Sequence, residues 1–424
     1  MAKEDPKRAF LSLAHHIDID LLREANRRTR KDSAPGVDGQ TAAAYQENLE
    51  ENLQSLLDRF KSGRYQAPPV RRAYVPKGSD PLKKRPIGMP TFEDKVLQRA
   101  VAMVLEAVYE QDFLDCSYGF RPGRSAHQAI RKLWQGLTSL GGGWVLEADI
   151  QSFYDTLDRS QLRSFLDQRV RDGVIRRALD KWLKAGVMEG TTLSHPLKGT
   201  PQGGVISPLL SNIYLHEVLD TWFEAVVKPR LQGEAFLIRF ADDFVLVFQL
   251  ESDARRVLKV LPERFAKYGL SLHPDKTRLV RFEQPGSKTG LGKTQPHEGP
   301  KSFDFLGFTH FWERSRRGNW MVKRKTASDR ITRFLRQLNQ WCQGNRHAPI
   351  AWQQKQLLSK LRGHSGYYGI TGNSKSLSSV HHWVKRIWRK WLSRRTRDSY
   401  LTWDRFNLLL RRYPLPNLRI CHSA

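Results

Sequence analysis

The segment Ala235 to Phe248 constrains this chain more than any other. Two apolar runs, Phe236-Leu237-Ile238-Arg239-Phe240 and Phe244-Val245-Leu246-Val247-Phe248, flank Ala241-Asp242-Asp243. The spacing predicts a tight β-hairpin with two adjacent carboxylates at its tip. Aspartate is common in turns, but these strands are too apolar to form an exposed edge, so the tip sits on a buried sheet. A second apolar run, Trp144-Val145-Leu146-Glu147-Ala148-Asp149-Ile150, also ends in an acid. If the two strands are neighbours, Asp149 and Asp242 face each other at the end of one sheet. Two carboxylates held close repel each other unless a divalent cation lies between them. Mg²⁺ suits that role, because it is a hard ion that binds through one or two carboxylates plus substrate phosphates. Two such ions about 3.5–4 Å apart would serve an in-line displacement.

Net charge points to the partner. The chain carries +28 overall, of which +21 falls in residues 311–424. So concentrated a positive field suits a polyphosphate backbone. Eight of the twelve tryptophans lie in the same stretch (Trp312, Trp320, Trp341, Trp352, Trp383, Trp388, Trp391 and Trp403). A merely solubilising tail would not hold so many large apolar rings. No apolar run approaches the roughly 20 residues of a membrane span, the first ten residues lack a signal-peptide core, and Cys116, Cys342 and Cys421 are isolated in sequence. No membrane partner and a cytoplasmic setting, the bacterial cytosol or nucleoid, are expected.

Periodicity predicts helices over residues 41–61, 93–109, 160–170, 328–342, 351–362 and 380–397, and two short strands around Arg71–Lys77 and Arg85–Pro90. The helix at 380–397 places Val384, Ile387, Trp388 and Trp391 on one stripe and basic residues on its other faces. Residues 283–301 hold four glycines and three prolines and read as an insertion. Gly286 to Thr294 imitates a phosphate-binding loop, but its glycine spacing is one residue too long and no strand-to-helix context surrounds it. Adjacent His381 and His382 point apart on a helix and make no metal pair.

The motifs as a set carry a family resemblance. Phe240-Ala241-Asp242-Asp243 resembles the reverse-transcriptase signature Tyr-x-Asp-Asp, and Asp149-Ile150-Gln151-Ser152-Phe153-Tyr154 resembles the first catalytic motif. The run from Gly199 to Leu215 is similar to the form of the intervening motif found in group II intron proteins. Pro35–Gly39, Arg85–Pro90, Tyr118–Ser125, Leu272–Thr277 and Phe303–Phe308 follow in the family's order. In one position the chain departs from the pattern: Phe240 stands where tyrosine is usual, so the ring is kept and a hydroxyl is lost.

The resemblance implies an α+β right-hand polymerase, with fingers and palm over residues 1–310 and an α-helical thumb and maturase region over 311–424. It implies two Mg²⁺ ions held by Asp149, Asp242 and Asp243 with the Ile150 carbonyl. Lys77, Arg85, Tyr154 and Gln202 would contact the dNTP, and Lys276 would be a general acid for pyrophosphate. Core packing remains an alternative for Tyr154, and a solvated strand end for Lys276. The run Leu361–Ile370 and the segment Asn373–Leu377 resemble the maturase region, which is expected to be a bundle cored by tryptophans. There Arg362, Lys375, Lys385, Arg386, Arg389, Lys390, Arg394 and Arg395 would meet RNA. Expected partners are a group II intron RNA, a template–primer duplex, target DNA and dNTPs, with a homodimer left open. The absence of a nuclease motif after Arg397 suggests the form lacking an endonuclease. A splicing cofactor with a vestigial polymerase site, or a freestanding relative in DNA repair, remain alternative readings of the same residues.

Overall fold

The computed structural model describes residues 5, 8–77, 80–190, 192–194, 199, 203–286, 301–396 and 400–423, without the side chains of residues 77 and 80–83. Its strands are β1 (Val70–Lys77), β2 (Asp80–Met89), β3 (Trp144–Asp149), β4 (Val187–Glu189), β5 (Thr192–Ser194), β6 (Ala235–Phe240), β7 (Asp243–Phe248), β8 (Arg278–Arg281), β9 (Phe303–Phe305), β10 (Phe308–Arg314) and β11 (Trp320–Thr326). They form three sheets, ordered β2-β1-β4-β5, β6-β7-β3-β8 and β11-β10-β9. The chain divides into two compact units, Met1–Ala129 with Trp144–Leu279, and Ile130–Gly143 with Val280–Ala424.

The first unit is built around helix Phe92–Tyr109. Thr91 caps it by accepting a hydrogen bond from Asp94 N, and Glu93 and Asp94 place negative charge in its first turn. Thirteen of its residues are buried, as expected for a helix with apolar residues on most sides. Even its charged Asp94 is buried, and accepts hydrogen bonds from Tyr65 Oη, from Trp182 Nε1 (2.7 Å) and from Gln98 Nε2 (2.9 Å). The expected helix over 41–61 is two helices, Ala42–Glu47 and Leu49–Lys61, because Asn48 leaves helical geometry at φ −121° and ψ 45°. β1 and β2 form the expected basic hairpin, in register at Val75↔Arg85 and Tyr74↔Pro86.

The sheet β6-β7-β3-β8 carries the acids. β3 pairs antiparallel with β7 from Trp144↔Phe248 to Asp149↔Asp243, and β6 pairs with β7 up to Phe240↔Asp243. Ala241 and Asp242 are left as a two-residue turn, its first residue at φ +57°, the backbone sign that tight hairpins favour. Of the β7 residues, all but Asp243 are buried.

The second unit contains the β11-β10-β9 sheet and the helices Ser328–Gly344, Ile350–Tyr368, Ser374–Leu392 and Trp403–Arg412. The sheet corrects the expectation that the chain is α-helical from residue 311. Residues Phe308, His310 and Trp312 of β10, and Val322, Arg324 and Thr326 of β11, alternate inward, but charged residues between and among them conceal the period of two. Two helices are longer than expected and one is displaced: Ser374–Leu392 starts before residue 380 and ends five residues short of 397. The tryptophan core is also narrower than expected. Trp388 and Trp391 are buried in the bundle, whereas Trp352, Trp383 and Trp403 are more than 40% exposed. Trp388 donates from Nε1 to the buried Gln353 Oε1 at 2.9 Å, which satisfies its one polar atom. Residues 287–300, most of the expected insertion, lie outside the described residues. No described helix is long and apolar enough to cross a membrane.

Candidate active site

A cleft of about 800 Å³ opens at the acid end of the β6-β7-β3-β8 sheet. Asp149, Asp242, Asp243, Ile150, Tyr154, Arg85, Phe240 and Lys276 all line it. The sequence thus brought together residues from 85 to 276 that share only this location.

Asp149 ends β3 opposite Asp243, and its carboxylate accepts a hydrogen bond from Lys276 Nζ at 2.6 Å. Its backbone carbonyl accepts from His273 N at 2.8 Å, and Ile150 bridges to Leu272, so the segment bearing Lys276 is tied to β3 by backbone as well as by charge. Asp242 is partly buried in the turn. Burial, reinforced by the nearby charge of Asp149, holds its carboxyl above the ordinary carboxylate range, while Arg85 and Lys276 oppose that rise. The Asp149 charge therefore disfavours ionisation of Asp242, and added positive charge between them would relieve that repulsion.

Beyond Ile150 the chain turns through Ser152 at φ +48° into the short helix Phe153–Thr156. Phe153 is buried, and Tyr154 is partly buried where it lines the cleft, packed against the core, its ring 5.4 Å edge-on from Phe153. Burial raises the Tyr154 phenol above its ordinary range. Arg85 and Lys84 are exposed residues of β2 at the cleft. Lys77 ends β1 with its side chain outside the described residues, and Gln202 lies outside them entirely. Gly203, the next residue in that motif, has φ +110° and lies so tightly against the Gly88 carbonyl of β2 that a Cβ would not fit. The Gly199–Leu210 motif is thereby held against the strand that carries Arg85.

Sequence reasoning missed the support beneath the turn. Arg239 and Asp220 are both 0% exposed, and Arg239 Nη2 pairs with Asp220 Oδ2 at 2.5 Å. Arg239 also donates to Asn212 Oδ1 (2.9 Å) and to the Ala241 carbonyl (3.1 Å). Asn212 Nδ2 in turn donates to the Gly119 carbonyl at 2.7 Å, and Gly119 packs so closely on Ala241 N that a Cβ would collide. Asp220 closes a π-helical turn, His216–Asp220, a rare geometry frequently found at functional sites. An arginine inside an apolar strand was the available signal.

Among the described residues, no group of three or more His, Cys, Asp or Glu is arranged to hold a metal alone. The donors present are carboxylate oxygens facing an open cleft with cations nearby. That set fits Mg²⁺, which keeps water and takes substrate phosphates as ligands, better than a closed protein cage.

In the second unit the basic residues divide by what they touch. Arg362, Lys375, Arg386, Lys390 and Arg394 are exposed. Arg386 lies over the exposed Trp383 ring at 5.2 Å. Arg389 is engaged within the unit: it donates to the Leu401 carbonyl at 2.7 Å and lies 4.3 Å over Trp403. Arg395 donates to the Arg346 carbonyl at 2.6 Å and to the Ala348 carbonyl. Arg394 and Arg395 both follow the helix end at Leu392 rather than lying on it. Lys385 is half-buried.

An antiparallel sheet with an acid-tipped hairpin beside a second acid-ended strand, flanked by helices and a basic β-hairpin, is the palm and fingers of a right-hand polymerase. The family model for reverse transcriptase (RNA-dependent DNA polymerase) matches residues 75–310, and the model for the group II intron, maturase-specific domain matches residues 331–408. The chain belongs to the reverse transcriptase family, in the group II intron form that joins a maturase domain to the polymerase. Protein YkfC of Escherichia coli (strain K12) is 34% identical over 340 residues, which cover 72% of this chain and 83% of that protein. The group II intron-encoded protein LtrA of Lactococcus lactis subsp. cremoris is 39% identical over 186 residues, 44% of this chain and 30% of LtrA. Nuclear intron maturase 2, mitochondrial, of Arabidopsis thaliana is 26% identical over 298 residues, 59% of this chain and 39% of that protein. The match thus spans most of YkfC but under a third of LtrA.

Proposed function

We propose that this chain extends a DNA primer on an RNA template, that it binds a group II intron RNA to assist splicing, and that it supports intron mobility by target-primed reverse transcription. The observation that carries the polymerase reading is the convergence of Asp149, Asp242, Tyr154, Arg85 and Lys276 on one cleft at the end of the β6-β7-β3-β8 sheet.

In this reading Asp149, Asp242, Asp243 and the Ile150 carbonyl hold two Mg²⁺ ions. When bound, these lower the pKa of the primer 3′-hydroxyl and neutralise charge on the departing pyrophosphate. Arg85 and Lys77 grip the triphosphate, Arg85 through a planar fork that matches phosphate oxygens. The partly buried Tyr154 ring would pack under the sugar and exclude a ribose 2′-hydroxyl. Gln202, in a motif with two glycines, would let the backbone approach the template and the incoming nucleotide closely. Lys276, which donates a hydrogen bond to Asp149, would pass a proton to pyrophosphate. Residues 1–310 would be the polymerase part and 311–424 the thumb and maturase part. In the latter, exposed Arg362, Lys375, Arg386, Lys390 and Arg394 would follow RNA phosphates by position rather than sequence, with Lys385 at their margin. Arg389 and Arg395 would shape that surface from within.

Mg²⁺-dependent dNTP incorporation on an annealed RNA template and DNA primer tests the polymerase reading. Splicing of a candidate intron RNA at low salt, with and without the protein, tests the maturase reading separately. Splicing assistance without incorporation would leave a cofactor whose polymerase site is vestigial.

A further inference from the structure

Phe120 is a large apolar side chain that core packing does not explain. It is 58% exposed, and it lines the cleft together with Phe240, Asp149 and Asp242. Its backbone is left-handed, at φ +57°, a region bulky residues rarely enter.

The flanking residues impose that conformation. Tyr118 N donates to the Arg239 carbonyl at 2.8 Å, and the Gly119 carbonyl accepts from Asn212 at 2.7 Å. Arg121 is buried, pairs with Glu110 at 2.9 Å, and donates to the carbonyls of Leu114 (2.8 Å) and Ser117 (2.9 Å). Between these anchors the ring of Phe120 stands out into the cleft. If the turn alone mattered, glycine or asparagine would serve with less strain. Strain held in place by its surroundings at a cleft marks a functional side chain.

Among the described residues, Phe240 is the ring's aromatic neighbour there. The Phe120 and Phe240 centroids are 6.3 Å apart with planes inclined at 41°. Together they make an apolar surface next to the turn that carries Asp242. We propose that Phe120 positions the 3′-terminal nucleotide of the primer, whose base or sugar rests on its ring, with Phe240 completing the surface. This rests on the polymerase reading above. Position selects the occupant: the ring adjoins the hairpin whose acids would bind the metal at the hydroxyl being extended. The cations suited to a triphosphate, Lys84 and Arg85, belong to β2 instead.

The test compares wild type with Phe120→Ala, Phe120→Trp and Phe120→Gly. Affinity for a labelled RNA template annealed to a dideoxy-terminated DNA primer is read by fluorescence anisotropy, dNTP KM by extension, and Tm by thermal melting. Phe120→Ala should weaken duplex binding roughly 5- to 150-fold, the range of one lost base–aromatic stack, and leave dNTP KM within about twofold of wild type, the change expected when no dNTP contact is lost. Phe120→Trp should bind like wild type. Phe120→Gly should lose affinity as alanine does yet melt at or above the wild-type Tm, because glycine relieves the left-handed strain. Unchanged affinity in the alanine and glycine variants overturns the proposal. So does a rise in dNTP KM alone, which would assign the ring to the incoming nucleotide, and so does a lower Tm for Phe120→Gly, which would make it structural. Failure of the wild type to extend any primer would instead overturn the polymerase reading itself.

Discussion

Asp220→Asn is the substitution that most sharply tests how the turn bearing Asp242 is held. Arg239 and Asp220 are both 0% exposed. The guanidinium makes two hydrogen bonds to Asp220 (2.8 and 2.5 Å), one to Asn212 and one to the Ala241 carbonyl. Removing the countercharge leaves a buried cation without compensation, which costs about 3–5 kcal/mol. Against a total stability of about 5–15 kcal/mol, that is a large fraction. At about 2–4 °C per kcal/mol for a unit of this size, the melting transition should fall by roughly 6–20 °C. The assay is thermal melting followed by circular dichroism, with primer extension measured well below the new transition. A second variant separates charge from position. Replacing both residues together, Arg239→Met with Asp220→Leu, removes both charges and should restore most of the stability. It should not restore full extension, because nothing then donates to the Ala241 carbonyl. Melting of Asp220→Asn within about 2 °C of wild type, where 6–20 °C is expected, would refute the account of this pair.

Other consequences follow from the same geometry. His310 is fully buried and stacked on Phe303 at 4.9 Å, and among the described residues neither ring nitrogen has a hydrogen-bond partner. Burial, with the Arg324 charge, pushes its pKa down to about 3, so the native ring stays neutral while the unfolded ring takes up a proton near pH 6.5. Its stability contribution is therefore complete above pH 6.5 and is lost as pH falls toward 3. Denaturant melts between pH 7 and 4.5 should show His310→Phe gaining about 2–3 kcal/mol relative to wild type at the acid end, and a constant difference would contradict this. Lys276→Met should lower kcat about 100-fold with little change in dNTP KM if Lys276 is a proton donor; an effect on KM alone would make it a binding residue. In the second unit, Arg386→Ala should weaken RNA binding with an unchanged Tm. Arg389→Ala should instead lower the Tm, since its guanidinium bonds the Leu401 carbonyl and covers Trp403. Filter binding at two salt concentrations, with parallel melts, distinguishes the pair.

The acid-bearing sheet was legible because β3, β6 and β7 are mostly apolar runs with an acid at or next to one end. Asp149 and Asp242 stand 93 positions apart, yet both end runs that no solvent-exposed strand would have. The β1–β2 hairpin was legible for a related reason, with β-forming residues on both sides of a Gly-Pro-bearing loop. The β10–β11 hairpin was not. Its outward residues include Lys323 and Lys325, and one inward residue is Arg324, so charge masks the alternation. Helix Ser374–Leu392 was displaced in the prediction because its first turns, Ser374 to Ser379, hold a single apolar residue, Leu377, and because Ser393 to Thr396 continue the basic composition beyond its end.

The candidate site was legible in its reactive residues and obscure in its supports. Asp149, Asp242, Arg85, Tyr154 and Lys276 could each be picked out by type and motif, and all reach one cleft. Arg239 was marked only by its place inside an apolar strand, and Asp220 and Asn212 not at all, because only the fold pairs them with it. Phe120 illustrates the same limit. Nothing in Tyr118 to Ser125 reveals that one ring stands left-handed and exposed, since that follows from anchors at Arg239, Asn212 and Glu110. Arg389 and Arg395 show the converse: a run of arginines reads as an RNA-binding face, and two of them are spent on carbonyls within the unit.

The central claim is that this cleft transfers nucleotides, and the most direct test is primer extension. Wild type and Asp242→Ala are given an RNA template annealed to a DNA primer, dNTPs and Mg²⁺, after melts show that both are folded. The account predicts extension by the wild type and a loss of about a thousandfold or more in the variant, as expected when a ligand of the catalytic metals is removed. Equal extension by both proteins, or none by a folded wild type, would contradict it.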